Sequence, residues 1–288
     1  MGATLSRSTA PSHATVGQSV PPSRKKLRVL CLHGWRTSGY ILSCQTAAMQ
    51  YHTDLEMVFL TAPFAAVGEP DEGIATFYPD LPYFEWFIRN QEQTLPQRAV
   101  SDEKESVGDN DVVDVQGNPR ATVARYGGLD VSISMIVEAL QTQGPFDGLL
   151  GFSQGASMVT RLAYINAVQN QCAKETSSSS SFPSAVGETY HPARFPSVLG
   201  LFRFTILIGG VPPEELQACI CSSLAVPSLH IHGAADQYLN LSESLANMYL
   251  ASERTVLVHS EGHNIPSIRT NLYDKINDWL MKKIKIMG

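Results

Sequence analysis

Short apolar runs alternate with longer segments of helical periodicity along most of the chain. Six runs have the length and apolar content of buried strands, and turn residues follow most of them. These runs cover residues 27–32, 56–60, 146–150, 204–208, 227–232 and 254–258. Helices are predicted between them, among others at 129–143, 156–167, 241–250 and 268–284. The alternation predicts an α/β fold, a doubly wound and mostly parallel sheet of about six strands with helices on both faces.

Two insertions interrupt this rhythm. Residues 64–125 are rich in Gly, Pro and acidic residues, and they contain the aromatic cluster 83–87, Tyr-Phe-Glu-Trp-Phe. The segment is too long for an ordinary connection, so we expect a lid or binding loop in which the cluster forms either core or pocket wall. Residues 173–197 contain five consecutive serines and predict a flexible surface loop. We therefore expect one domain over 27–288, preceded by a disordered tail over 1–26.

The N-terminal tail carries a lipidation pattern. The chain begins Met-Gly-Ala-Thr-Leu-Ser, which makes Gly2 a candidate for myristoylation. A basic cluster at residues 24–28 would supply a second signal for weak membrane association. The alternative is an unmodified tail. A mitochondrial presequence fits less well, because Pro11, Pro21 and Pro22 would break an amphipathic helix.

Composition narrows the class of protein. Of the 288 residues, 43% are hydrophobic and 17% charged, which is typical of a globular protein. A net charge of −6 argues against a nucleic-acid partner, and no apolar run is long enough to span a bilayer. The five cysteines show no metal-binding spacing and no disulfide framework. We expect a cytoplasmic protein, tethered to a membrane if Gly2 is acylated, with no metal and no cofactor.

The segment 149–157, Leu-Leu-Gly-Phe-Ser-Gln-Gly-Ala-Ser, places Gly-x-Ser-x-Gly between a predicted strand and a predicted helix. Such a short pattern could be only a glycine-rich turn. Two later residues change that view: Asp236 follows the fifth strand and His263 follows the sixth. The chain order Ser, Asp, His is that of the α/β-hydrolase triad. In a parallel sheet all three would lie at the same edge.

The chemistry assigns a role to each residue. Ser153 would be the nucleophile, His263 the base that takes its proton, and Asp236 the acid that orients the imidazole. The oxyanion of the tetrahedral intermediate needs backbone N–H donors. We expect these donors at Gln154, where the helix starts, and at Trp35, in the loop after the first strand.

Each assignment has a structural alternative. Asp236 could merely cap the following helix, and His259 competes with His263 for the role of base. Four other polar residues are expected to be structural: His33 and Asp147 in turns, and His230 and His232 in the core, since no third metal ligand accompanies them.

Four blocks of sequence carry a family resemblance. They are 29–34 (Val-Leu-Cys-Leu-His-Gly), 144–156 around Ser153, 227–233 with Asp236, and 261–266 with His263. In these blocks the chain resembles the FSH family of serine hydrolases over residues 27–285, apart from the insertions. The resemblance implies a compact α/β hydrolase that cleaves carboxylic esters or thioesters without a cofactor. It also implies the same nucleophile, acid and base.

The chain departs from the family pattern near its site. Trp35-Arg36-Thr37-Ser38 stands where some members have Gln or Asn, and Leu239-Asn240 replaces a common valine-proline. These departures leave the substrate open. One alternative is an acyl-protein thioesterase or lysophospholipase acting at membranes; another is a ligand-binding protein of this fold without catalysis. A small acyl ester or thioester is the expected partner.

Overall fold

The computed structural model describes residues 26–89, 126–174, 194–217 and 224–285. Its ten strands are β1 (Leu27–Leu32), β2 (Leu55–Leu60), β3 (Phe64–Ala65), β4 (Phe84–Glu85), β5 (Ile88–Arg89), β6 (Tyr126–Gly127), β7 (Gly148–Phe152), β8 (Phe204–Ile208), β9 (Ser228–Gly233) and β10 (Arg254–His259). Its α-helices are α1 (Gly39–Gln45), α2 (Ala47–His52), α3 (Glu72–Phe77), α4 (Leu129–Thr142), α5 (Gln154–Lys174), α6 (Glu214–Gln217), α7 (Leu239–Asn247) and α8 (Leu272–Trp279).

Six strands form one parallel sheet in the order β2-β1-β7-β8-β9-β10. All six strands predicted from the apolar runs are present, and the α/β prediction is confirmed. The chain runs from β1 outward to β2, then crosses back to β7 on the other side of β1. This reversal creates a switch point between β1 and β7, and in such sheets ligands bind in the crevice at the carboxyl ends of the strands on either side.

Alternating side chains of the strands separate two apolar cores. Leu30 of β1 and Leu149 of β7 belong to a core shared with α4, α5 and α7. Their neighbours Val29 and Leu150 belong to a second core shared with α1, α2 and α8. Since successive side chains of a strand point to opposite faces, this division shows that helices cover both faces of the sheet.

The described part of the first insertion is well packed. The pairs β3–β4 and β5–β6 form two small antiparallel sheets, and Trp86 and Phe87 are buried in the first core. The aromatic cluster thus contributes to the core at these two positions. Residues 90–125 lie outside the described part, and the role of the insertion as a lid stays a prediction.

The structure describes both flanks of the second insertion. Helix α5 continues through Lys174, well beyond the predicted end at residue 167. On the other side, Phe195 and Val198 already pack in the first core. The helix thus ends within one residue of the predicted boundary at 173, and packing resumes at Phe195, two residues before the boundary at 197, so the flexible loop between them stays a prediction. Residues 175–193 between them lie outside the described part.

The chain end predicted as one helix over 268–284 is divided. A 3-10 turn (Ile268–Thr270) leads to Asn271 in the left-handed conformation, with φ 54°. Helix α8 follows, and a π-helical turn (Leu280–Lys285) closes the segment. The apolar periodicity runs through all three pieces, which explains why the sequence indicated a single helix.

Only part of the predicted membrane-association segment can be located. Gly2, Arg24 and Lys25 lie outside the described residues. Of the other two cations, Lys26 donates to a backbone carbonyl, and Arg28 forms an ion pair with Glu56 at 3.1 Å. Among the described residues, no helix has both the length and the apolarity that crossing a bilayer requires.

Candidate active site

Ser153 occupies the sharp turn between β7 and α5. Its φ of 52° lies in the left-handed region, which is uncommon for a residue with a Cβ. The backbone is held there on both sides: Ser153 N–H donates to the Ile208 carbonyl of β8, and the Ser153 carbonyl accepts from Ala156 N–H. Strain of this kind persists only where surrounding contacts impose it, and it is often found at functional sites.

The two glycines of the motif are required by close backbone contacts. A Cβ at Gly155 would lie 2.1 Å from the Leu32 carbonyl oxygen, and a Cβ at Gly151 would lie 2.5 Å from Ala156 N. Both distances are far below van der Waals contact. The motif therefore lets α5 start directly against the end of β1, which brings Ser153 to the switch point of the sheet.

A continuous hydrogen-bonded chain connects the three predicted residues of the triad. Ser153 Oγ lies 3.0 Å from His263 Nε2, and His263 Nδ1 lies 2.7 Å from Asp236 Oδ2. Since a carboxylate only accepts, Nδ1 carries the proton, and Nε2 is left to accept from the serine hydroxyl. The structure thus brings together three residues that lie 110 and 27 positions apart along the chain. Their catalytic roles stay a prediction.

The Asp236 carboxylate is held at both oxygens, and it does not cap α7, whose N-cap is Tyr238 with no side-chain cap bond. Its Oδ1 accepts from Tyr238 N–H at 2.7 Å, just before α7, while its Oδ2 binds His263. Asp236 as a whole residue is only 7% exposed, so water competes little for either hydrogen bond of its carboxylate. The backbone bond fixes the carboxylate, and the carboxylate fixes the imidazole.

The His263 ring is enclosed on several sides. Phe152 and Tyr238 pack against it with ring centroids at 5.2 and 5.1 Å. Gly209, at φ 53°, passes so close that a Cβ there would be 3.0 Å from His263 Cε1. These contacts restrict the rotation of the ring, so Nε2 stays directed at Ser153.

The loop after β1 passes directly beside the nucleophile. A Cβ at Gly34 would lie 3.2 Å from the Phe152 ring and 3.5 Å from Ser153 Cβ. Trp35 follows in the turn and is 39% exposed. The segments that contain Trp35 and Gln154 therefore meet at Ser153, as an oxyanion hole made of their backbone N–H groups requires. That function also stays a prediction.

His33 is a structural residue of this loop. Its Nε2 accepts from Ala62 N–H at 3.0 Å, and its Nδ1 lies 2.7 Å from the Gly34 carbonyl and 3.1 Å from Thr37 Oγ1. Burial lowers the pKa of His33 to about 4. The neutral ring therefore ties β1, β2 and the intervening loop together at ordinary pH.

The competing residues lie elsewhere. His259 is buried at the end of β10, where its Nδ1 is 3.7 Å from Glu261 and outside hydrogen-bonding distance. Asp147 joins two strands by accepting from Arg28 N–H and from Arg203. His230 and His232 are buried on β9. In the part of the chain that the structure describes, no group of three or more His, Cys, Asp or Glu side chains could hold a metal.

Sequence reasoning missed two buried polar anchors beside the site. Arg161 of α5 is 1% exposed and forms a two-pronged ion pair with Glu215 of α6. Trp86 donates hydrogen bonds to Gln154 and His33. A charged residue inside the apolar part of α5 was a signal for the first anchor. Neither partner could have been read from the sequence, since each bond joins segments more than fifty positions apart.

Comparison with known proteins agrees with this geometry. The family model described as Serine hydrolase (FSH1) matches residues 23–273. Esterase OVCA2 of Mus musculus is 33% identical over 257 residues, which are 85% of this chain and 92% of the mouse protein. Esterase OVCA2 of Homo sapiens is 29% identical over 255 residues, with the same coverage of 85% and 92%. The chain therefore belongs to the FSH1 family of serine hydrolases, and the predicted resemblance is confirmed.

Solved structures are more distant. The crystal structure of esterase PE8 is 23% identical, covers 89% of this chain and 92% of its own, and aligns with a TM-score of 0.45. The family assignment rests on the family model and the sequence relatives.

Proposed function

We propose that this protein cleaves carboxylic esters or thioesters through an acyl-enzyme on Ser153. The observation that carries the proposal is the hydrogen-bonded chain from Ser153 Oγ through His263 to Asp236, with the serine held in a left-handed turn. Membership in a serine hydrolase family supports the same reaction class.

The first half of the reaction acylates the enzyme. Ser153 Oγ attacks the carbonyl carbon while His263 Nε2 takes the hydroxyl proton, and the carbonyl oxygen becomes an oxyanion. Backbone N–H groups of Gln154 and Trp35 stabilise that oxyanion. The C–O or C–S bond then breaks, and Nε2–H protonates the departing alcohol or thiol.

The second half regenerates the serine. A water molecule attacks the acyl carbon, again losing its proton to His263 Nε2, and the carboxylic acid leaves as the proton returns to Ser153 Oγ. Asp236 stabilises the imidazolium in both halves without being protonated itself. No cofactor takes part in any step.

The test uses two matched series of substrates, p-nitrophenyl esters and acyl thioesters of equal acyl length. Ser153→Ala should lower kcat by about 10⁴-fold or more on every substrate that the wild type cleaves. His263→Asn should do nearly the same. His259→Asn removes a neighbouring imidazole that lies outside the hydrogen-bonded chain, so we expect it to retain most of the activity. Wild-type turnover that survives Ser153→Ala would overturn the proposal.

A further inference from the structure

Trp86 is completely buried beside the nucleophile, between the short strands β4 and β5. Its indole Nε1–H donates to the His33 carbonyl at 2.8 Å, and its backbone N–H donates to Gln154 Oε1 at 3.1 Å. Its own carbonyl accepts from the hydroxyl of Ser132 in α4. Every polar group of this residue is thus engaged.

Two of these bonds end on the two segments that meet at Ser153. His33 lies two residues before Trp35, and Gln154 is the first residue of α5. The same tryptophan therefore connects the loop after β1 with the start of α5, and its ring also packs 5.1 Å from the His33 ring. The bond to Trp86 N–H fixes the side-chain oxygen of Gln154, while the backbone N–H of Gln154 is the donor proposed for the oxyanion hole.

The loop after β1 needs such support. Arg36 adopts φ 50°, a second left-handed residue with a side chain in this site. Residues next to Trp86 hold the turn as well, since Glu85 binds Arg36 Nε at 3.0 Å and Phe84 N–H donates to the Thr37 carbonyl at 2.8 Å. The described part of the insertion thus contacts the loop at three consecutive residues.

We propose that Trp86 is a positioning residue that sets the spacing between the two backbone donors of the oxyanion hole. This inference rests on the proposed function. Donors stabilise a transition state only when they are already directed at the position where charge develops. Trp86 holds the His33 carbonyl and the Gln154 side chain at a fixed separation. It therefore keeps the two backbone donors correctly placed before substrate arrives.

The decisive variant is Trp86→Phe, which keeps a large apolar ring and removes the indole donor. Trp279→Phe is the matched control, because Trp279 is also buried in the core but its Nε1 has no hydrogen-bond partner among the residues that the structure describes. Gln154→Met is a second variant that removes the acceptor of the Trp86 backbone bond. For each protein, the fraction of molecules that a fluorophosphonate probe labels is measured by intact mass. Because kcat is calculated per labelled active site, misfolded protein does not lower its value.

Two readouts separate positioning from packing. The first is the division of the effect between kcat and KM. The second is the inhibition constant of an alkyl trifluoromethyl ketone, to which Ser153 Oγ adds while its proton passes to His263 and the ketone oxygen becomes an oxyanion. That adduct needs the same donors as the transition state, so its stability reports their placement.

We expect Trp86→Phe to lower kcat per active site by about 10- to 100-fold, with KM changed less than about twofold. The trifluoromethyl ketone should weaken by the same factor as kcat falls, and Gln154→Met should show a parallel but smaller effect. Trp279→Phe should change neither quantity by more than about threefold. A parallel loss of kcat and of ketone affinity is the result expected when the backbone N–H donors of the oxyanion hole are misplaced.

The inference is wrong if Trp86→Phe behaves like Trp279→Phe in both readouts. It is also wrong if KM rises while kcat and ketone affinity stay at wild-type values, because Trp86 would then only shape the pocket. Failure of the proposed function gives a different result: the wild-type protein itself would show no fluorophosphonate adduct at Ser153.

Discussion

Arg161 carries a charge into the interior of the protein beside α5. Arg161 is 1% exposed. Its guanidinium donates to both carboxylate oxygens of Glu215, at 2.7 and 3.1 Å, and to Ser157 Oγ at 2.8 Å. The rings of Phe87 and Tyr126 lie 5.0 and 5.7 Å from it. This one side chain therefore joins α5, α6 and the described segments on either side of residues 90–125.

The perturbation is Glu215→Gln, which keeps the shape of the side chain and removes its charge. Removing one partner of a buried ion pair typically costs 3–5 kcal/mol, because the other charge is left uncompensated. The Glu215 side chain is 20% exposed, so water relieves part of that cost. We expect a loss of about 3 kcal/mol, a large fraction of the 5–15 kcal/mol that stabilises a typical domain.

The assay is urea unfolding followed by tryptophan fluorescence at fixed pH and salt. Arg161→Met should cost about as much as Glu215→Gln, and the double variant little more than either, giving a coupling of about 3 kcal/mol. Glu56→Gln is the control, since it breaks an exposed pair of the same type with Arg28 at 3.1 Å. We expect that change to cost less than about 1 kcal/mol.

The reasoning is refuted if Glu215→Gln costs no more than Glu56→Gln. It is refuted equally if the two single changes simply add in the double variant, because the charges would then not depend on one another.

Three further predictions concern the site and the sheet. Gly155→Ala should abolish activity and destabilise the protein by about 3 kcal/mol or more by urea unfolding, because its Cβ would overlap the Leu32 carbonyl; normal activity would contradict the packing. Asp236→Asn should lower kcat by about 10⁴-fold in the ester assay with an unchanged melting temperature, since the amide permits the wrong imidazole tautomer; a loss of only tenfold would show that His263 does not need the Asp236 carboxylate for catalysis. Burial, followed by the nearby charges of His232 and Arg254, lowers the pKa of His230 to about 3. Above the unfolded pKa the imidazole is neutral in both states, but as pH falls below it only the unfolded chain takes up the proton. The free energy of unfolding should therefore fall by about 2 kcal/mol between pH 8 and pH 5. His230→Leu should remove that part of the acid sensitivity in pH-dependent unfolding, and an unchanged pH profile would refute this account.

The sheet was predictable because buried parallel strands produce short apolar runs that need no long-range information. The strands 27–32 and 204–208 were found to the residue, and the other four within two positions at either end. The start of α5 was placed two residues late, since the sharp turn at Ser153 leads into the helix without an intervening loop. Asn271, in a left-handed conformation between two helical pieces, interrupts no apolar pattern and so left no signal.

Ser153, Asp236 and His263, which the structure brings together, could be selected from the sequence because each follows a strand that the pattern itself predicts. Chain order then agreed with the α/β-hydrolase triad, although it left both His259 and His263 as possible bases. The residues that hold them were not found. Trp86 and Gln154 are 68 positions apart, and Arg161 and Glu215 are 54 apart. Such pairs depend on how the insertions fold back over the sheet, which local periodicity does not encode.

The central claim is that Ser153 is an activated nucleophile. The most direct measurement is the intact mass of the purified protein after reaction with a fluorophosphonate, which phosphonylates an activated serine and releases fluoride. The account predicts one adduct on the wild type, retained in the control Ser157→Ala and lost in both Ser153→Ala and His263→Asn. No adduct on folded wild-type protein, or an adduct that persists in Ser153→Ala, would contradict it.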